Sequence, residues 1–121
     1  MRTILVVEDE WAIADWLNAL LGDEGFRVLV AHNGVRALEA LKDNAVDAVL
    51  TDFMMPIMDG AALVQAIRGD AAMQAIPIIV MSSLPEEAVA ERVRGHTAFL
   101  RKPFGEDQLL AALAEVLGGD P

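Results

Sequence analysis

The feature that most constrains the fold is an alternation, along the whole chain, of short apolar runs with segments of helical periodicity. The apolar runs are Ile4 to Val7, Val28 to Ala31, Val46 to Leu50, Ile78 to Met81 and Phe99 to Leu100. The first four are nearly continuous in apolar character, which predicts parallel strands that are buried on both faces. The alternation therefore predicts an α/β fold, in which right-handed crossovers build a central parallel sheet covered by helices.

Five helices are expected between and after these strands. The first carries a repeat that should face the core, made of Ile13, Trp16, Leu17, Leu20 and Leu21. Asn33 and Asp59 are the expected N-caps of the second and third helices. The fourth, roughly Pro85 to Arg94, has a thin apolar stripe and should be the loosest element, whereas the fifth, about Glu106 to Leu117, has a strong one. The tail LGGDP predicts a helix stop followed by a ragged end.

Composition limits the classes of function. The chain of 121 residues and 13.0 kDa suits one domain over 1–121, and it lacks a linker or an apolar segment long enough to span a membrane. Its formal charge of -10 would repel a phosphate backbone, so no nucleic acid is expected as a partner. With no cysteine, thiolate chemistry and disulfides are excluded. We expect a cytoplasmic protein with no membrane partner.

Polar residues follow the predicted strands where they end. Glu8 and Asp9 follow the first strand, Asp52 the third, Ser82 the fourth and Lys102 the fifth. The carboxyl ends of parallel strands meet at one edge of a sheet, and this edge is where such folds keep their binding sites. The sequence therefore predicts a shallow pocket that holds three acids, a hydroxyl and an ammonium group.

The chemistry of this set indicates a metal and a phosphoryl group. Three crowded carboxylates repel one another unless a cation lies between them. Hard oxygen ligands without cysteine or a histidine pair favour Mg²⁺, which is often shared with a phosphoryl oxygen. Asp52 is then the expected nucleophile, with Lys102 neutralising charge on the transferred group and Ser82 donating a hydrogen bond to it.

Four stretches carry a family resemblance. ILVVEDE, DFMMPIMDG, IIVMSS and FLRKPF, in this order and at these separations, closely resemble the receiver domain of two-component response regulators over essentially the whole chain. The resemblance implies a doubly wound, flavodoxin-like sheet in the order 2-1-3-4-5 with five helices. It also implies a single-domain response regulator that catalyses only its own phosphorylation and dephosphorylation.

The resemblance assigns roles to particular residues. It implies that Asp52 is the phosphoacceptor, that Lys102 contacts the phosphoryl group, and that Glu8 and Asp9 form the acidic pair. Asp9, Asp52 and the backbone carbonyl of Met54 would hold Mg²⁺, with Glu8 as the remaining acid of the metal site. Ser82 and Phe99 occupy the positions of the switch hydroxyl and the switch aromatic, which remodel the surface of helix four, strand five and helix five.

Two departures from the family pattern have consequences. The segment from Ser82 to Phe99 is about two residues shorter than in typical relatives, and we expect helix four to be shortened or shifted. The positions two after Asp52 and two after Ser82 are Met54 and Leu84. Neither side chain can orient a water molecule, so self-dephosphorylation is expected to be slow.

Each residue also has a plainer interpretation. Asp52 alone could be a turn acid, but that leaves Glu8, Asp9 and Lys102 unexplained. Glu8 could be partly structural. Either Ser82 or Ser83 could cap helix four, Phe99 alone predicts a core residue, and His32 and His96 are expected to lie in loops without partners.

Trp11 falls on the face of helix one opposite the apolar repeat. It is expected to be at least partly exposed beside the acidic pair. There it could anchor a docking partner or simply lie over the loop after Asp52.

The leading hypothesis is a protein that accepts a phosphoryl group from a histidine kinase or histidine phosphotransferase and then binds a downstream protein, as a monomer or a phosphorylation-dependent dimer. An alternative is a phosphatase or phosphotransferase with an aspartate nucleophile, although Met54 stands where such enzymes place a second acid. A flavin-binding module would need a hydroxyl- and glycine-rich loop where VVEDEW stands. A scaffold that never carries phosphate would need neither Lys102 nor the full set of acids.

Overall fold

A computed structural model describes residues 1–118 and contains one parallel sheet of five strands. The strands are β1 (Thr3–Val7), β2 (Arg27–Ala31), β3 (Ala48–Asp52), β4 (Ile78–Ser82) and β5 (Ala98–Arg101). The helices are α1 (Trp11–Asp23), α2 (Gly34–Asp43), α3 (Gly60–Arg68), α4 (Glu86–Ala90) and α5 (Glu106–Val116). The order β2-β1-β3-β4-β5 confirms the predicted topology. The expected ragged end lies in 119–121, outside the described residues.

The register of the sheet brings four strand ends together. Val7 of β1 pairs with Thr51 of β3, and Asp52 pairs with Met81 of β4. Ser82, the last residue of β4, pairs with Arg101 of β5. The segments that follow β1, β3, β4 and β5 therefore begin side by side at one edge, as the sequence predicted.

Two layers of apolar side chains cover the two faces of the sheet. On one face, Leu17 of α1 and Leu109 of α5 are fully buried with the side chains of β1, β3 and β4 that point to them. On the other face lie α2, α3 and α4, which contribute buried residues such as Leu41, Ile67 and Val89. This double cover holds the strand ends in fixed positions, because a close-packed interior resists small displacements.

Two strand predictions need correction. The third strand is Ala48–Asp52, not Val46 to Leu50. Asp47 lies in a bend just before the strand, where its carboxylate accepts a 2.7 Å hydrogen bond from the Thr3 backbone amide and its own amide donates to the Thr3 carbonyl. The second strand is not buried on both faces, since β2 is an edge strand and both Arg27 and Val30 are exposed.

Local signals at the helices were mostly predictive. Asn33 and Asp59 cap α2 and α3 as expected, each accepting a hydrogen bond from the backbone amide three residues later. The prediction that Trp16 faces the core is wrong. The residue is 42% exposed, and its ring packs against Phe104 in the loop after β5. The helix faces the sheet with Ala14, Leu17 and Leu21, a narrower stripe than the predicted repeat, and Trp16 lies outside it.

Helix α4 is shorter than the range that we predicted. It spans only Glu86–Ala90, although Val93 beyond its end is still buried. A cleft of about 520 Å³ lies between α3 and the segment after α4, with Gln65, Arg92 and Arg94 in its lining. The expectation of a shortened helix four is thus met within the described part of the chain.

Candidate functional site

The ends of β1 and β3 place three acids in one cluster. Glu8, Asp9 and Asp52 each offer a carboxylate oxygen, and these three oxygens lie within 4.8 Å of one another. Glu8 and Asp9 follow directly after β1, while Asp52 is the last residue of β3. Because β1 and β3 are neighbours in parallel register, the predicted convergence of these acids follows from the strand pairing.

Lys102 joins two of the three acids. Its ammonium nitrogen lies 2.8 Å from Oε1 of Glu8 and 3.2 Å from Oδ1 of Asp52. The Glu8 side chain is fully buried, whereas the carboxylate of Asp52 keeps a small exposed surface. With one ammonium against three carboxylates, the cluster keeps a formal charge of about −2 when all groups are ionised.

Burial and mutual repulsion govern ionisation in this cluster. Burial raises the pKa of Asp52 above its usual value, the charge of Asp9 raises it further, and Lys102 opposes both. Burial likewise raises the pKa of Glu8, with the Lys102 hydrogen bond opposing. Burial alone would lower the pKa of Lys102, but the bond to Glu8 and the charge of Asp52 leave it raised. The acids thus repel, and Lys102 stays charged.

A close backbone approach holds the loop after Asp52. The amide of Gly60 donates a 2.9 Å hydrogen bond to the Phe53 carbonyl, which closes the loop between β3 and α3. A Cβ atom on residue 60 would lie 2.5 Å from the carbonyl oxygen of Asp52, so only glycine fits there. The loop therefore begins and ends against the backbone that carries Asp52.

The two residues that we expected to act as a switch lie on adjacent strands. Ser82 is buried at the end of β4, and its hydroxyl oxygen accepts a 3.0 Å hydrogen bond from the Leu84 amide. Pro85 is the N-cap of α4, and no side chain caps that helix, so neither Ser82 nor Ser83 is its cap. Phe99 is half-buried on β5, on the face that also holds α3 and α4. The switch roles of both residues stay predictions.

Trp11 lies beside the acids and has an unexpected partner. It is 69% exposed, as predicted, and its ring stacks on His32 with the centroids 3.9 Å apart. Nδ1 of His32 also lies 3.0 Å from the backbone oxygen of Glu8. The expectation that His32 has no partner is wrong, because the parallel pairing of β1 with β2 brings the residue after Ala31 next to Glu8.

The residues present fit a divalent cation. Carboxylate oxygens are the ligands that Mg²⁺ prefers, and a cluster that retains about two negative charges after pairing with Lys102 matches its charge. Asp9, with no described hydrogen bond from Lys102, is free to take a ligand role. Met54, whose backbone carbonyl we expect to be a further ligand, lies two residues beyond Asp52 in the loop closed by Gly60.

The fold and site define a doubly wound α/β protein with an acid cluster and a lysine at the carboxyl edge of its sheet. The protein-family model described as the response regulator receiver domain matches residues 4–114 of the chain. Response regulator MprA of Mycobacterium tuberculosis is 36% identical over an alignment of 118 residues, and the alignment covers 94% of this chain and 50% of that protein. The chain belongs to the receiver domain family of two-component response regulators.

Solved structures agree with this assignment. A receiver domain of a signal transduction histidine kinase from Syntrophus aciditrophicus has a TM-score of 0.91 at 28% identity, covering 98% of this chain and 92% of that one. A sensor histidine kinase receiver domain from Pseudomonas aeruginosa PAO1 has a TM-score of 0.88 at 27% identity, covering 97% and 98%. That structure contains a magnesium ion coordinated in its active-site cleft.

The chain spans about half the length of the curated relatives that it matches. Within residues 1–118, no helix is long and apolar enough to cross a membrane.

Proposed function

We propose that residues 1–121 form a receiver domain that accepts a phosphoryl group on Asp52 from the phosphohistidine of a kinase or phosphotransferase. The single observation that carries this proposal is the contact of Lys102 with both Glu8 and Asp52 in a cluster of three acids. A lone turn acid needs no such surroundings. The cytoplasm, where ATP-dependent kinases act, is the proposed location.

Asp52 is the nucleophile in this proposal. One oxygen of its carboxylate attacks phosphorus while the bond from phosphorus to the imidazole nitrogen of the donor breaks. The electron pair of the broken bond stays on that nitrogen, and the ring leaves as neutral imidazole when its other nitrogen carries a proton. The phosphoryl oxygens gain charge density in the transition state, and Lys102, 3.2 Å from Asp52, is placed to neutralise part of it.

Asp9, Asp52 and the Met54 carbonyl are the proposed ligands of Mg²⁺, and Glu8 completes the acidic set. When bound, the ion supplies positive charge that screens the carboxylates from one another and from the incoming phosphoryl group. Glu8 holds Lys102 through the 2.8 Å bond and so sets the position of its ammonium group.

Ser82 and Phe99 are proposed to convert phosphorylation into a change of surface. The Ser82 hydroxyl would exchange its bond with the Leu84 amide for one to a phosphoryl oxygen. The segment before the short helix α4 would then shift, and Phe99 would rotate on the adjacent strand. The proposed output is binding to a downstream protein by the face of α4, β5 and α5.

An intact-mass experiment tests the acceptor. Wild type and Asp52→Asn are incubated with Mg²⁺ and phosphoramidate, and each protein is weighed. Wild type should gain one phosphoryl group and the variant none. A phosphoryl gain in Asp52→Asn as well would move the acceptor to another residue. Steady release of phosphate from many small esters would instead favour an enzyme that turns over.

A further inference from the structure

One residue of the loop after Asp52 has a backbone conformation that its side chain disfavours. Ile57 has a φ of 72°, and it is the only residue other than glycine with positive φ among the residues described. The Met58 amide donates a 2.8 Å hydrogen bond to the Pro56 carbonyl, so Ile57 is the central residue of a γ-turn of the rare, positive-φ kind. A β-branched side chain strains this conformation, which glycine adopts freely.

The side chain of Ile57 contributes little buried apolar surface to the fold. Ile57 is 81% exposed, so the strain is not offset by burial in the core. Residues in strained backbone conformations concentrate at sites of binding and catalysis. An exposed isoleucine at a position suited to glycine therefore points to a contact outside this chain.

Ile57 belongs to a group of exposed apolar residues around the acid cluster. We call this group the apolar rim; it consists of Trp11, Met54, Ile57 and Leu84. Each follows a strand whose carboxyl end borders the site, namely β1, β3 or β4. The loop with Met54 and Ile57 begins and ends at the backbone of Asp52, through the Gly60 contact described above. The rim residues thus lie in the segments that follow the strand ends at the edge that holds Asp52.

A protein donor is the occupant that this geometry favours. The carboxylate of Asp52 is only 10% exposed, so a phosphohistidine must approach it across the edge that carries the rim. A small phosphodonor such as phosphoramidate has no apolar surface for Ile57 to contact while it reacts at Asp52. We propose that Ile57 is a specificity-determining contact with the apolar surface of the protein phosphodonor, an inference that rests on the proposed function.

Three substitutions separate the apolar contact from the strain. Ile57→Gly and Ile57→Asn both remove the apolar side chain, and both residue types accept positive φ. Ile57→Val keeps the apolar, β-branched character and serves as the matched control. The Gly and Asn variants should melt a few degrees higher than wild type because strain is relieved. The Val variant should melt close to wild type.

The test compares two donors. The protein donor is a histidine phosphotransferase domain, phosphorylated beforehand and chosen because it labels wild type; the small donor is phosphoramidate with Mg²⁺. Ile57→Gly and Ile57→Asn should slow transfer from the protein by about tenfold, as expected for losing a buried interface contact, and leave phosphoramidate labelling unchanged. Ile57→Val should transfer like wild type.

Each failure has its own meaning. Unchanged transfer from the protein donor in Ile57→Gly and Ile57→Asn overturns the proposed contact. Equal slowing with both donors overturns it too, since the loss then lies in the chemistry at Asp52. If phosphoramidate does not label wild type at Asp52, the proposed function itself fails, whatever the Ile57 variants do.

Discussion

Lys102 donates a 2.8 Å hydrogen bond to Oε1 of Glu8, a side chain with no exposed surface. A buried carboxylate needs such a partner, because an unpaired charge in the interior is strongly destabilising. The bond joins the residue after the first strand to the residue after the last one, so it links stability of the fold to the geometry of the acid cluster.

Lys102→Met should lower the free energy of unfolding by about 2 kcal/mol at pH 7, since it leaves Glu8 and Asp52 without their cation. Both acids already have a raised pKa in the fold, and the substitution raises it further. A carboxyl group whose pKa is raised by folding stabilises the fold when the pH is below its pKa in the unfolded state. That contribution is lost as the pH rises through its pKa in the folded state. The loss should therefore shrink on acidification.

Urea unfolding between pH 4 and 8 measures this effect. The double variant Glu8→Gln/Lys102→Met is the control, because it removes the buried charge together with its partner. It should be more stable than Lys102→Met alone. A loss in Lys102→Met that is the same at every pH would show that Lys102 acts through packing of its side chain instead.

Asp52→Asn should make the metal-free protein more stable at neutral pH by about 1 kcal/mol. Burial and the charge of Asp9 raise the pKa of Asp52. The wild-type protein therefore loses stability as the pH rises through the pKa that Asp52 has in the folded state. The gain should vanish in acid, where Asp52 is protonated in both states. Thermal unfolding in EDTA measures it, with the exposed Asp15→Asn as a control that should change little.

Added Mg²⁺ provides the second half of that experiment. The ion should stabilise wild type more than Asp52→Asn, because one proposed ligand is weakened in the variant. An equal shift of both proteins with Mg²⁺ would mean that Asp52 does not contact the metal.

The site was predictable from sequence because it depends on strand order and strand ends. Glu8, Asp9, Asp52 and Lys102 each follow an apolar run, and parallel pairing brings such positions together. The misplaced bounds of β3 did not matter, because the sheet register, and not the predicted range of the strand, positions Asp52.

What the sequence did not reveal arises from contacts between distant segments. His32 lies next to Glu8 only because β2 pairs with β1, and a single loop histidine carries no sign of this. The positive φ of Ile57 lies in a loop that Gly60 closes, and an isoleucine in the sequence gives no sign of that conformation. Trp16 fitted the helical repeat, yet its ring packs on Phe104 at the surface. The periodicity of apolar residues does not reveal how wide a face of the helix is buried.

Trp11→Ala should slow phosphoryl transfer from a protein donor and leave labelling by phosphoramidate unchanged. Trp11 is 69% exposed beside Asp9, and large exposed aromatic residues often anchor interfaces, where their loss costs about tenfold or more in binding. Rates of labelling with the two donors provide the measurement. Equal slowing with both would rule out docking and assign Trp11 to support of the site through its stack on His32.

Phosphorylated wild type should keep its phosphoryl group for minutes or longer without a phosphatase. Met54 and Leu84, both exposed and apolar, cannot orient a water molecule towards the phosphorus. Met54→Asn offers an amide that can, and should speed hydrolysis by about tenfold. Following loss of the phosphoryl group by intact mass checks both statements. A wild-type aspartyl phosphate that lasts only seconds contradicts the first.

Arg68 should stabilise the opposite edge of the sheet. Its guanidinium donates hydrogen bonds to the backbone oxygens of Gly95, Gln74 and Ile76 at 2.7, 2.9 and 2.7 Å. These bonds tie the end of α3 to the loops before β4 and β5. Arg68→Ala should lower the free energy of unfolding by about 2–3 kcal/mol because several carbonyls lose their donors together.

Arg68→Lys should recover only a small part of that loss, because an ammonium on a flexible stem cannot reproduce the planar fork that spans these carbonyls. The nearby exposed Arg92→Ala is the matched control, and its stability should stay within about 0.5 kcal/mol of wild type. Urea unfolding of the three variants decides the matter. If Arg68→Lys is as stable as wild type, charge alone suffices and the forked geometry is not what holds the loops.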